Sequence, residues 1–249
     1  MLVLTDAQSI RRLKGIVKFK ITRNDLTYGL RHAIVPRQGV LMRLLVATNN
    51  PGKVKEYQDL LAGLDMELRG LADLGITDEV EETGQTFEEN ARLKATAYSQ
   101  VSGLLTLADD SGLEVEALGG KPGVYSARYA GKGATDADRY RKLLAALDGV
   151  PWEKRAARFR CVIALARPDG HIETFSGQCD GVIAFEPKGT NGFGFDPVFY
   201  MPEHGCTMAE LPEARKNQIS HRARAAALAR ERLQGIAPHA ARQAPAVRA

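Results

Sequence analysis

The chain has 249 residues, of which 44% are hydrophobic and 26% charged, a composition typical of a folded globular protein rather than a disordered one. This length allows one large domain or two small ones. No apolar run approaches the roughly 20 residues that a membrane-spanning helix needs, so we expect no transmembrane segment and no membrane partner.

The net charge of +4 comes from the two ends of the chain. Residues 1–41 carry eight Lys or Arg against Asp6 and Asp25, a net +6, and residues 235–249 add +2. Residues 42–234 therefore carry −4. We expect a mildly acidic working domain over these 193 residues that requires no nucleic-acid partner.

The two ends are interpreted separately from this domain. Residues 1–41 lack the apolar segment of a signal peptide, and Met42 stands directly before a strong strand pattern. We interpret 1–41 as a basic N-terminal extension, either dispensable or due to a start upstream of the true one; the alternative is a targeting or nucleic-acid-binding arm. Residues 235–249, rich in Ala, Pro and Arg, predict a disordered tail.

The cysteines indicate the redox state of the compartment in which the protein works. Cys161, Cys179 and Cys206 lie 18 and 27 residues apart, which fits neither a paired disulfide framework nor the short spacings of a zinc site. We therefore expect a reducing, cytoplasmic compartment. Cys161 lies in an apolar run, which favours a place in the core over a role as nucleophile.

Strand and helix patterns alternate along the middle of the chain. In chain order they predict a strand over 43–48, a helix over 54–61, a helix from 87 to about 102 that opens with a capping box, a buried strand over 104–108, strands over 159–167 and 171–176, β segments over 182–185 and 197–200, and a helix from Ser220 to about Gln234. Because residues 168–170 form a hairpin turn, we expect a mixed α/β fold, with a mixed sheet and flanking helices.

The turn over residues 48–53 lies where a strand delivers the chain to a helix N-terminus. Free backbone amides, the positive end of the helix dipole and Lys53 suit a phosphate there. The turn is not a Walker A loop, because Ala47 and Val54 replace its first glycine and its Ser or Thr. An ordinary turn of Asn, Pro and Gly is the alternative.

Acidic residues gather at two places. Asp109 and Asp110 follow the strand over 104–108, and carboxylates at the end of a buried strand suit Mg²⁺ in a ligand crevice. The alternative is that one of them caps a short helix over 113–118. The acidic segment over 78–82 is compatible with a metal site or with a solvated loop.

Residues 189–196 combine three glycines with Phe193 and Phe195, and flexible backbone beside aromatic faces suits a pocket for a flat base. The alternative is a core cluster under a loop. Lys216 and the sequence Ser-His-Arg over 220–222 follow near two helix starts.

Together these segments resemble the inosine triphosphate pyrophosphatase family, which hydrolyses non-standard purine nucleoside triphosphates. The resemblance covers essentially all of 42–234 and rests on five motifs in the family's order: LLVATNNPGKVKE (44–56), EETGQTFEENARLKA (81–95), LADDSGLEVEALGGKPGVYSARYAG (107–131), GTNGFGFDPVF (189–199) and KNQISHRARA (216–225).

The resemblance implies two lobes with the active site in the cleft between them, a homodimer, and Mg²⁺ as cofactor. It implies that Asp110 is the general base and that Glu81 and Asp110 hold the metal. It assigns the purine nucleoside triphosphate to Thr48, Asn49, Asn50, Pro51, Gly52, Lys53, Lys94, Ser111, Phe193, Gly194, Phe195, Asp196, Lys216, His221 and Arg222.

The chain departs mildly from the family pattern. Asn49 stands where Gly or Ser is usual and Phe195 where Tyr is common. Selectivity for 6-keto purines would follow if a donor, such as Arg222 or a pocket amide, meets O6 of the base. The alternatives are a related pyrophosphatase with another base preference and a nucleic-acid-binding protein that uses residues 1–41.

Overall fold

We describe the protein from a computed structural model that covers residues 41–236. The predictions for residues 1–40 and 237–249 lie outside the described residues. Within residues 41–236, no helix is both long enough and apolar enough to cross a membrane.

The described region contains one seven-stranded sheet with the order β2-β1-β3-β4-β5-β6-β7. Its strands are β1 (Met42–Val46), β2 (Met66–Gly70), β3 (Leu105–Val115), β4 (Ala156–Ala166), β5 (Ile172–Ile183), β6 (Phe199–Met201) and β7 (Cys206–Thr207). β1 pairs in parallel with β2 and β3, and every later pair is antiparallel. The predicted mixed sheet and the hairpin between β4 and β5 are confirmed.

Helices flank this sheet. They are α1 (Pro51–Leu60), α2 (Phe87–Ser102), α3 (Asp136–Ala146), α4 (Glu213–Ile219) and α5 (His221–Ile236). The capping box of α2 forms as predicted, because Thr86 Oγ1 accepts from the Glu89 amide and the Glu89 carboxylate accepts from the Thr86 amide. Ser220 caps α5 by accepting from the Ala223 amide at 3.2 Å.

The prediction that a strand ends at Ala108 is wrong. β3 continues through Asp109, Asp110 and Gly112 to Val115, paired along its length with β4, and residues 113–115 are strand rather than helix. A Cβ atom on Gly112 would lie 2.5 Å from the Gly123 carbonyl oxygen and from Ser126 Oγ. Gly112 therefore does not form a turn. It allows β3 to pack closely against the segment that contains Gly123 and Ser126.

The predicted β segment over 182–185 is the end of β5 and not a separate strand. β2, α3, α4 and β7 had not been predicted. Three apolar clusters hold the helices on the sheet. One packs α1 and α5, one packs α2, and one packs α3 with the loops around β6. The two-lobe arrangement stays a prediction.

Candidate active site

A cleft of about 670 Å³ collects nearly all of the predicted site residues. Those that line it are Thr48, Asn49, Asn50, Lys53, Glu81, Lys94, Asp110, Ser111, Phe193, Gly194, Phe195, Asp196, Lys216, His221 and Arg222. Pro51 and Gly52 do not line it. The five sequence motifs therefore meet at one place in the fold.

The turn between β1 and α1 forms one wall of the cleft. Asn50 is the N-cap of α1, and its side-chain oxygen accepts from the Lys53 amide at 3.2 Å. Pro51 begins the helix, where no amide donor is needed. A Cβ atom on Gly52 would lie 2.5 Å from the ring of Phe193, so this glycine makes room for the opposite wall. Its role here is packing.

Asp109 and Asp110 lie side by side on β3 but have opposite environments. Asp109 is buried, and its Oδ2 contacts Lys53 Nζ at 2.9 Å and Arg222 Nη2 at 3.5 Å. Burial alone would raise the pKa of Asp109, but the two cations outweigh it and hold that pKa far below its ordinary value. Asp109 is thus a permanent anion that fixes two cations of the cleft.

Asp110 lines the cleft itself. Its Oδ2 accepts from Asn90 Nδ2 at 3.0 Å, its Oδ1 accepts from the Ser111 amide at 2.9 Å, and Lys94 Nζ lies 3.9 Å away. Burial raises the pKa of Asp110, and the nearby Glu82 adds to this effect while Lys94 opposes it. An oriented carboxylate with a raised pKa is suited to accept a proton.

Glu82 faces this carboxylate across Lys94. It contacts the Lys94 ammonium directly, and Arg128 Nη1 lies 3.3 Å from its Oε2. Burial would raise the pKa of Glu82, but Lys94 lowers it below its ordinary value. Glu81 lines the cleft but is exposed, and among the described residues its side chain has no hydrogen-bond or ion-pair partner. Its assignment as a metal ligand stays a prediction.

The carboxylates of the cleft suit Mg²⁺. In the part of the chain that the structure describes, no group of three or more His, Cys, Asp or Glu is arranged to hold a metal ion. Mg²⁺ is commonly bound by one or two carboxylates together with substrate phosphates, and two carboxylates around one ammonium provide hard oxygen donors of this kind.

The loop before β6 forms the opposite wall. The Phe193 amide donates to Asp196 Oδ2 at 2.9 Å, and the buried Lys216 ammonium contacts the same carboxylate. Lys216 Nζ also lies 4.7 Å from the centre of the Phe193 ring. Phe193 is half-buried at the cleft, whereas Phe195 is buried and packs against Tyr129 in the core. Phe195 therefore has the core role given above as the alternative, although it also lines the cleft.

His221 and Arg222 close the floor of the cleft. The His221 ring stacks on Phe159 with 4.7 Å between ring centres, and burial together with Arg222 holds the pKa of His221 well below its ordinary value. It is neutral at physiological pH. Arg222 contacts Glu56 and Asp109 and donates from Nη2 to Ser111 Oγ at 2.8 Å.

Two buried side chains that hold the centre of this site together, Glu56 and Asn90, were not predicted from the sequence. Glu56 is buried on α1 and bridges Arg222 to Lys216, whose Nζ lies 2.8 Å from Glu56 Oε1. Asn90 is buried on α2 and orients Asp110. Helical spacing could have identified both residues. Glu56 lies three residues after Lys53, and Asn90 lies four residues before Lys94, so each shares a helix face with a lysine of the site.

Comparisons with known proteins point to one family. The model of the Ham1 family matches residues 44–232. The dITP/XTP pyrophosphatase of Geobacter sulfurreducens is 54% identical over 198 residues, which is 79% of this chain and 100% of the relative. That of Desulforamulus reducens is 52% identical over 198 residues, 80% of this chain and 98% of the relative. A solved HAM1 protein from Coxiella burnetii superposes with a TM-score of 0.72 at 44% identity, covering 78% of this chain and 100% of that one.

Proposed function

The chain belongs to the Ham1 family, and on that basis we propose that it hydrolyses non-standard purine nucleoside triphosphates (ITP, dITP and XTP) to the monophosphate and pyrophosphate. This reaction clears such nucleotides from the pool. The observation that carries the proposal is the arrangement of the cleft, in which an oriented carboxylate and two lysines lie opposite an aromatic, glycine-rich loop.

The lysines and the turn before α1 are the phosphate end of the site. Lys53 and Lys94 line the cleft beside the amides at the start of α1, and both are held by carboxylates. Positive groups that are already fixed stabilise charge that develops on phosphate oxygens without reorganising. Asp110 accepts the proton of the attacking water while Asn90 and the Ser111 amide hold its oxygens in place.

Mg²⁺ would be held by Asp110 together with Glu82 or with Glu81, the ligand that the family resemblance implies. When bound, the metal neutralises phosphate charge and orients the substrate for attack. Glu82 is favoured over its neighbour because it is partly buried and shares Lys94 with Asp110.

The loop over 193–196 with Lys216, His221 and Arg222 is the base end. Phe193 offers an aromatic face, and neutral His221 lies on the floor beside Arg222. A 6-keto purine presents an acceptor to the donors of this pocket, whereas adenine presents an amino group. Leaving a buried donor unpaired costs about 1 to 3 kcal/mol, which disfavours adenine. Guanine carries the same 6-keto oxygen as hypoxanthine, so selection against GTP must act on its 2-amino group.

We also propose a homodimer that works in the cytoplasm. The free thiols of Cys161, Cys179 and Cys206 support a reducing compartment.

The proposed function is tested by identifying the products from ITP, dITP, XTP, ATP, GTP and pyrimidine triphosphates, with and without Mg²⁺. We expect Mg²⁺-dependent release of pyrophosphate and monophosphate from the first three. Activity restricted to pyrimidine nucleotides, or release of orthophosphate and a diphosphate, would overturn the proposal.

A further inference from the structure

Helix α3 contacts the loop over residues 192–196, hereafter the base loop, at a point that no sequence motif singled out. The Gly194 amide donates a hydrogen bond of 2.7 Å to Asp136 Oδ2, across 58 positions of the chain. Asp136 is the first residue of α3, and both residues line the cleft. The helix and the loop are therefore joined at the edge of the site by one charge-assisted bond.

Asp136 is itself held in a fixed position. The Arg139 guanidinium contacts Asp136 Oδ1, and Arg139 Nε donates to the Ala127 carbonyl at 2.8 Å. The carboxylate that receives Gly194 is thus anchored through Arg139 to the segment that carries Ala127.

Two glycines of the base loop adopt backbone conformations that other residues rarely adopt. Gly192 and Gly194 have φ angles of +74° and +66°, which glycine adopts readily. Asp196 holds the loop at the Phe193 amide on one side, and Asp136 holds it at Gly194 on the other. Between these two bonds the Phe193 ring packs against Gly52, next to the turn before α1.

We propose that Asp136 is a positioning residue that sets affinity for the base, because it holds Gly194 and with it the Phe193 wall of the pocket. This inference rests on the proposed function. Asp136 contacts none of the groups that act on the phosphates. Its loss therefore weakens substrate binding and transition-state binding equally, which raises KM and leaves kcat unchanged.

The test compares Asp136→Ala and Asp136→Asn in the full chain with ITP as substrate. We expect Asp136→Ala to raise KM about tenfold, the effect of losing one charge-assisted hydrogen bond, with kcat within about twofold. Asp136→Asn keeps an oxygen that accepts from Gly194, so its KM is expected to stay within about threefold of the wild type. If Asp136→Ala does not fold, Asp136→Ser takes its place and is expected to show the same rise in KM of about tenfold, because its side chain is too short to reach Gly194.

Asp138→Ala is the matched control, since it removes a carboxylate of the same helical turn that makes no bond to the loop. It should lower stability and leave KM unchanged. Inorganic tripolyphosphate, which has no base, is expected to inhibit the wild type and Asp136→Ala with the same inhibition constant.

Equal rises in KM for Asp136→Ala and Asp138→Ala, or an unchanged KM in an active Asp136→Ala, would overturn this inference alone. A wild type that does not hydrolyse ITP would overturn the proposed function instead.

Discussion

At the scale of single residues, the cations of the cleft are held by buried acids. Asp109 fixes Lys53, and Glu56 fixes both Lys216 and Arg222. The positive groups that would face a nucleotide are therefore positioned before it binds. Such preorganisation is what electrostatic catalysis requires.

Replacing Glu56 tests this buried cluster. Glu56→Gln leaves Lys216 and Arg222 with less negative charge around them, so we expect the free energy of unfolding to fall by about 3 to 5 kcal/mol in urea denaturation. Glu213→Gln is the matched control, because it breaks an exposed pair with Lys55 and should change stability little. Equal losses in the two variants would contradict the role of the cluster.

The same variant has a defined pH dependence. Burial would raise the pKa of Glu56, but Arg222 and Lys216 hold it below its ordinary value of about 4.3. Its stabilisation is therefore complete above that value and is lost as the pH falls through the folded pKa, where protonated Glu56 resembles Gln. The stability difference from Glu56→Gln should be largest near pH 7 and shrink below pH of about 4. A difference that is constant with pH would contradict this.

Asp110 is tested through turnover. Asp110→Asn is expected to lower kcat for ITP at least about 100-fold while circular dichroism shows a folded protein, because the amide cannot accept the proton of water. Glu114→Gln is the control on the same strand, where the side chain pairs with Arg160 outside the cleft. Near-normal turnover by Asp110→Asn would exclude its role as the base.

At the scale of elements, local sequence predicted the helices that carry their own end signals. α2 begins at its capping box and ends before Gly103, whose φ angle is +67°. α3 also begins at a capping box, formed by Thr135 and Asp138, so its start is encoded in the local sequence as well.

Local sequence failed where pairing across the sheet decides the structure. Asp-Asp-Ser-Gly over 109–112 is typical of a turn, yet these residues stay extended because β4 pairs with them as far as Val115. The two carboxylates are consequently in the middle of a strand. Their side chains point to opposite faces of the sheet, and this explains why one is buried with Lys53 and the other lines the cleft.

The capping box of α2 supports the site because the helix carries Asn90 and Lys94. We expect Thr86→Ala to lower the free energy of unfolding by about 1 kcal/mol in chemical denaturation. Thr83→Ala is the control, since this exposed threonine precedes the helix and makes no side-chain hydrogen bond among the described residues. A loss in Thr83→Ala as large as that in Thr86→Ala would contradict the assignment.

At the scale of the whole molecule, the motifs predicted which segments form the site but not which side chains pair. The composition of residues 48–53 and 193–196, and their order along the chain, predicted that both segments belong to the site. The bonds from Asp109 to Lys53 and from Glu56 to Lys216 join residues far apart in the chain, so only the folded sheet brings them together. It is likewise the fold that brings Glu82, and not Glu81, into contact with Lys94.

The family match over residues 44–232 leads to a prediction for the rest of the chain. We expect a protein that starts at Met42 to keep kcat/KM for ITP within about twofold of the full chain, because the described cleft is built from residues after that point. A large loss of activity, or salt-sensitive nucleic-acid binding that disappears with residues 1–41, would favour a functional arm.

Selective hydrolysis of non-standard purine nucleotides is tested most directly by a competition assay. The full-length protein is given equal concentrations of ITP, ATP and GTP with Mg²⁺ in one solution, so that relative consumption reports the ratio of kcat/KM values. We predict that ITP is converted to its monophosphate while ATP and GTP persist. Consumption of the three at equal rates would contradict the account.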